Sequence, residues 1–197
     1  MTEKALKGIV LALGALAIAA AIWMVARGPG PLGRERDAIG HGDYVLQATD
    51  GTTFTEAALR GHPSAVFFGF THCPDVCPTT LGEIGTWQEE LGDAAKDLRF
   101  WFVTVDPERD TVDQLRDYLS WTAGVTGAAG TRAEVDEAIA AFRIYARKVP
   151  LSDGSYTMDH TPFVMLFDRN GSFVQTIGYR EETATAVDKL RALVAAG

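Results

Sequence analysis

Alternating strand and helix signals that end in a hairpin and one more helix predict an α/β domain, a mixed sheet with helices on both faces. Three observations carry this. Residues 64–70 (SAVFFGF) and 98–105 (LRFWFVTV) are compact apolar runs with aromatic and β-branched side chains, the composition of buried central strands. Between them Leu81, Ile84, Trp87 and Leu91 recur at helical spacing. Further on, residues 163–167 and 173–177 flank Asn170-Gly171, a turn signal that folds them into a hairpin.

The other elements follow in order. Tyr44-Val45-Leu46 predicts a short first strand. After the second core strand, residues 111–121 place Val112, Leu115 and Leu119 on one helix face. Thr131 and Glu134 have the spacing of a capping box, opening a helix with Val135, Ile139, Phe142 and Ala146 on its inner face. Val187, Leu190 and Val194 mark a last helix. The sequence contains no internal repeat.

At 197 residues, 47% hydrophobic and 22% charged, the chain has the balance of one folded domain plus a tail, which excludes a mostly disordered or fibrous protein. The net charge is −8; Lys4, Lys7 and Glu3 give residues 1–26 a charge of +1, leaving −9 for the rest. That balance speaks against a nucleic-acid-binding face. Two cysteines cannot build a disulfide scaffold, so their purpose is local.

Residues 8–26 are 19 uncharged residues between Lys4 and Lys7 on one side and Arg27 on the other. As a helix they reach about 28 Å, near the thickness of a bilayer core. Ala19, Ala20 and Ala21 resemble a signal-cleavage site, yet Ile22, Trp23, Met24 and Val25 continue the apolar run, so an uncut transmembrane anchor is expected. The predicted layout is a short tail at 1–7, the anchor at 8–26, a Gly/Pro linker at 27–39 and a folded domain at 40–197. Arg27, Arg34 and Arg36 offset Lys4 and Lys7, so charge counting does not orient the anchor. Long domains cross membranes largely regardless of charge, and the expectation is a single-pass protein of a bacterial plasma membrane with its domain on the periplasmic side.

The chemistry concentrates in Cys73-Pro74-Asp75-Val76-Cys77-Pro78, directly after a predicted buried strand. A helix N-terminus there favours thiolates. Four residues apart at a helix start, the two thiols share a face and can bond to each other or share a metal. Pro78 suits the first turn, where no amide donor is needed.

These residues belong to a wider pattern. The sequence resembles the Sco/SenC family of membrane-tethered copper chaperones over roughly residues 40–197, through FGFTHCPDVCP at 68–78, TVDPERDT at 104–111 and DHTP at 159–162. The resemblance implies a thioredoxin-like fold and a copper site made by Cys73, Cys77 and His160. Thr161-Pro162 looks like the segment that carries the cis-proline of such folds, which would set His160 opposite the cysteines. Soft thiolates with an imidazole suit copper, as Cu(I) with Cu(II) as a second state; three ligands are too few for a closed structural zinc site, and two cysteines too few for an iron–sulfur cluster. A Cys73–Cys77 disulfide would offer no thiolate, so redox state should gate loading.

Asp159 is a candidate to orient His160, although strand alternation argues against it. His72 should point away from the site, and His41 and His62 fall in loops. Met158 and Met165 read as core or strand residues. Asp106, Arg109 and Asp110 read as a charged turn, with Asp110 or Thr111 as helix cap.

The resemblance implies an assembly factor that helps deliver copper to the binuclear centre of cytochrome c oxidase, a chaperone rather than an enzyme. Its expected partners are the copper-accepting oxidase subunit, a periplasmic copper donor and a thiol reductant. The alternative is a thiol-disulfide oxidoreductase acting on cysteines of an exported copper protein, with Cys73 attacking and Cys77 resolving. That scheme gives His160 no role. A thiol peroxidase is disfavoured because Thr71-His72-Cys73 is one residue short of T-x-x-C.

Overall fold

The computed structural model describes residues 38–196 together with Leu13, Gly14, Leu16 and Ile18. Apart from those four, the expected tail, the anchor at 8–26 and the linker as far as residue 37 lie outside the described residues. Among the described residues no helix is long and apolar enough to cross a membrane.

The elements are β1 (Leu46–Ala48), β2 (Thr53–Phe54), β3 (Ser64–Gly69), α1 (Val76–Leu91), β4 (Arg99–Thr104), α2 (Val112–Tyr118) and β5 (Val125–Ala129), followed by α3 (Arg132–Ala141), β6 (Ala146–Pro150), β7 (Tyr156–His160), β8 (Val164–Phe167), β9 (Phe173–Ile177) and α4 (Thr183–Ala195). Short 3-10 turns span Glu56–Leu59 and Gly92–Asp97. Seven strands form one sheet in the order β2-β1-β5-β4-β3-β8-β9. Its centre is parallel, β3 with β4 and β4 with β5, and its flanks are antiparallel.

A parallel centre must be covered on both faces, and the side chains sort accordingly. Phe67 and Phe102, partners across the β3–β4 ladder, share one face, where Tyr118 of α2 packs 5.9 Å from the Phe102 ring. Phe68 points to the other face and meets Phe142, just past α3, at 5.0 Å. Phe142 also contacts Tyr44, Phe54 and Phe167, so this second face is an aromatic cluster. The result is the expected mixed α/β sheet in a thioredoxin-like arrangement.

Helix starts follow the sequence signals closely. Thr111 with Gln114 and Thr131 with Glu134 both form reciprocal capping boxes. In the predicted β8–β9 turn Gly171 sits at φ +82°, a conformation that favours glycine.

Two expectations need correction here. The first strand begins at Leu46, two residues later than predicted, and Tyr44 is instead a buried anchor whose hydroxyl donates to the Gly40 carbonyl at 2.9 Å. The helix opened by Thr131 ends at Ala141, because Arg143 turns to φ 53° and Ala146 starts β6. β5 was not predicted at all. Its sequence VTGAA is small where Leu119 and Thr49 press on it, each 2.9 Å from where a Gly127 Cβ would lie.

Candidate metal centre

β3, buried at all six positions, carries the chain to Phe70, where it turns out of the sheet. The turn is fastened from across the fold: Thr71 donates its amide and hydroxyl to the Asp110 carboxylate at 3.1 and 2.5 Å, and Thr104 at the end of β4 donates its hydroxyl to the same carboxylate at 2.7 Å. Burial, with the Asp106 charge adding to it, pushes the Asp110 carboxyl above its usual value against the three threonine bonds. Asp110 therefore fixes the cysteine loop, while Thr111 alone takes the capping role that either was expected to fill.

α1 starts at Val76, and its Cys77 amide donates to the Cys73 sulfur at 3.4 Å. Cys73 is half-buried and Cys77 fully buried, and both thiols are free. A hydrogen bond from Cys77, then others from the Cys77 and Asp75 amides, bring the Cys73 pKa down to about 4 despite partial burial. Cys77 moves the opposite way, raised by its bond to Cys73, by burial and by the neighbouring negative sulfur. The arrangement favours Cys73 as the thiolate and Cys77 as its proton donor. Gly69 makes room for this pair, since a Cβ there would stand 2.9 Å from the Cys77 sulfur and 2.8 Å from Phe102.

His160 arrives on a separate piece of structure. β6 and β7 form their own two-stranded ribbon, with Ala146 opposite His160. The imidazole Nδ1 is 2.9 Å from the Thr161 carbonyl, which only accepts, so Nδ1 carries the proton. Nε2 is left with its lone pair, 3.7 Å from the Cys77 sulfur. Phe70 and Phe67 hold the ring edge-on at 5.6 and 6.1 Å.

The two sulfurs and an imidazole nitrogen lie within 4.8 Å of one another. A metal about 2.0–2.3 Å from each of three donors needs them roughly 3.5–4 Å apart, so small movements suffice to close the set. Two soft sulfurs and one imidazole are the donor chemistry that suits copper. A cavity of about 270 Å³, lined among others by Pro74, Asp75, Thr157 and Pro162, opens beside Cys73 and His160.

Several neighbours fall elsewhere. No peptide bond among the described residues is cis, so Thr161-Pro162 is trans and the cis expectation is overturned; the ribbon itself, tied by Thr161 N to Tyr145 O at 3.0 Å, sets His160 in place. Asp159 is exposed on the opposite face of β7 and faces Arg147 at 3.9 Å, so it does not orient His160. His72 is exposed, its Nδ1 2.9 Å from the Thr71 hydroxyl, and His41 pairs with Glu56 at 3.1 Å. Met158 and Met165 are buried. Sequence reasoning missed the partners of Asp106 and Asp110; the available signal was three charged residues placed directly after a core strand.

The SCO1/SenC family model matches residues 33–195. Protein SCO1, mitochondrial, of Saccharomyces cerevisiae is 37% identical over 153 residues, covering 76% of this chain and 52% of that protein. The chain thus spans about half the length of the yeast relative. The structure of Bradyrhizobium japonicum ScoI with copper bound superposes with a TM-score of 0.73 at 41% identity, over 79% of this chain and 99% of that one. Yeast Sco1 with copper bound gives 0.72 at 34% identity, over 81% and 90%.

Proposed function

The chain belongs to the SCO1/SenC family, and from that premise we propose that it carries copper as cargo on Cys73, Cys77 and His160 and delivers it to the binuclear copper centre of cytochrome c oxidase. The observation behind this reading is the convergence of three donors of the right softness from two distant parts of the chain. Cu(I) is the form that two thiolates and a neutral imidazole favour. Cys73 needs no deprotonation at neutral pH, so loading releases the Cys77 proton, while Nδ1–H stays on the Thr161 carbonyl and keeps Nε2 free. Three ligands leave a side of the ion open to an acceptor's ligand. The apolar segment at 8–26 supports a tether to a bacterial plasma membrane with the domain outside. Protease added to sealed spheroplasts should cut the domain, whereas protection would place it in the cytosol.

The copper reading is tested with the reduced full-length chain in detergent, by competition with a Cu(I) chelator. Cys73→Ser and Cys77→Ser should each lose tight binding, and unchanged affinity in both would discard the site. A second reading, a thiol-disulfide reductase, draws on one observation: Cys73 is half-exposed with a lowered pKa and Cys77 is buried behind it, the arrangement of an attacking and a resolving thiol. It gains if Cys77→Ser traps mixed disulfides through Cys73 while His160→Ala leaves copper affinity intact.

A further inference from the structure

His160 reaches the sulfurs from an element that the main sheet does not hold. β6 and β7 pair only with each other, and a lone two-stranded ribbon is marginally stable in water. Side-chain contacts must therefore fix it. Its base is tied by the Tyr145 amide donating to the Thr161 hydroxyl at 3.0 Å, beside the Thr161–Tyr145 backbone bond.

The far end is tied by the charged turn after β4. The Tyr156 hydroxyl donates to Asp106 Oδ1 at 2.8 Å. The Arg109 guanidinium lies 3.8 Å over the Tyr156 ring, donates Nη1–H to the Tyr156 carbonyl at 3.0 Å and donates Nε–H to Asp106 Oδ2 at 2.5 Å. Lys148 of β6 stands 4.6 Å from the same ring and pairs with Glu108 at 3.1 Å. Asp106 is fully buried, and a buried carboxylate demands paired donors. Two of its donors, Arg109 and Tyr156, bind it to the ribbon. Tyr156, Met158 and His160 alternate onto one face of β7, so whatever seats Tyr156 also seats the imidazole.

We propose that Asp106 and Arg109, acting through Tyr156, are positioning residues for His160: the clamp seats the ribbon on the core and so sets the fraction of molecules in which all three donors face one another. The proposal rests on the copper reading of the site. Apparent affinity scales with that competent fraction, which makes the clamp a control on binding that touches no metal donor.

The test uses the reduced full-length chain in detergent. Tyr156→Phe removes the bond to Asp106 but keeps the ring under Arg109, and Tyr156→Ala removes both. Arg109 stays in place, because deleting it would strand a buried charge. In the metal-free protein, amides of β6 and β7 should exchange faster in both variants while those of β3 and β4 do not change. Cu(I) affinity should fall about threefold in Tyr156→Phe and about tenfold in Tyr156→Ala, with no further loss when His160→Ala is already present. The same loss with and without His160, or unchanged affinity in Tyr156→Ala, overturns the clamp. If the wild-type chain binds no Cu(I), the copper reading fails by itself, and the exchange measurement still judges the clamp: ribbon amides no faster in Tyr156→Ala overturn it.

Discussion

The two halves of the candidate metal centre are built differently. The sulfurs sit where β3, buried along its whole length, runs into α1, with Gly69 and Phe102 packed against Cys77. The imidazole sits on a ribbon with exposed Arg147, Lys148 and Asp159, held by a few side-chain bonds. The first half inherits its rigidity from the hydrophobic core, and the second adds to the buried Met158 a set of polar contacts that are individually modest. Stability and ligand placement are thereby separable, and substitutions in the two halves should report on different quantities.

The largest effect belongs to the core half. Phe68→Ala should destabilise the domain by about 3–5 kcal/mol, read as a drop in denaturation midpoint. A loss below about 1 kcal/mol would mean that the junction is not held by the core. Gly69→Ala comes next: its methyl must displace Phe102 or the Cys77 sulfur, an overpacking cost of about 1–3 kcal/mol, and copper affinity should fall with stability. Full affinity in that variant would show that the sulfur pair has more room than the contacts indicate.

A smaller effect sharpens the contrast between the sulfurs. With its pKa at about 4, Cys73 stays ionised as pH falls from 8 to 6, so its alkylation rate should hold across that range and decline only toward pH 4. A free thiol would lose roughly tenfold per pH unit. At pH 6 the gain in thiolate, offset by the weaker nucleophilicity of a low-pKa sulfur, leaves Cys73 about three- to tenfold faster than an ordinary thiol. A rate that climbs steeply from pH 6 to 9 would contradict the assignment. Smallest of all, Arg147→Ala breaks only an exposed cross-strand pair and should change stability by less than about 0.5 kcal/mol.

The same division explains what could be read from the sequence. β3, α1, β4, the β8–β9 hairpin and α4 were legible because each writes its burial as an apolar run, a 3.6-residue period or an Asn-Gly turn. β5 escaped because its buried positions are Gly and Ala, whose smallness is dictated by neighbours distant in sequence. The ribbon escaped because ARKVP and YTMDH carry no apolar run, and the preceding helix period ran on to Ala146 without revealing the turn at Arg143. Cys73 and Cys77 announced themselves by spacing. His160 did not, since nothing local distinguishes it, and only the match of three separated motifs pointed to it. Asp106 and Asp110 read only as a charged turn with a helix cap because their partners, Tyr156 and Thr71, lie 50 and 39 residues away.

Cys77 is enclosed by Gly69, Phe102 and its own helix, whereas the cavity opens beside Cys73 and His160. Among the described residues, the side open to an incoming donor atom is therefore that of Cys73 and His160. On the proposed copper reading, handover would be directional: the outer sulfur and the ring nitrogen would be exchanged first, and the enclosed sulfur last.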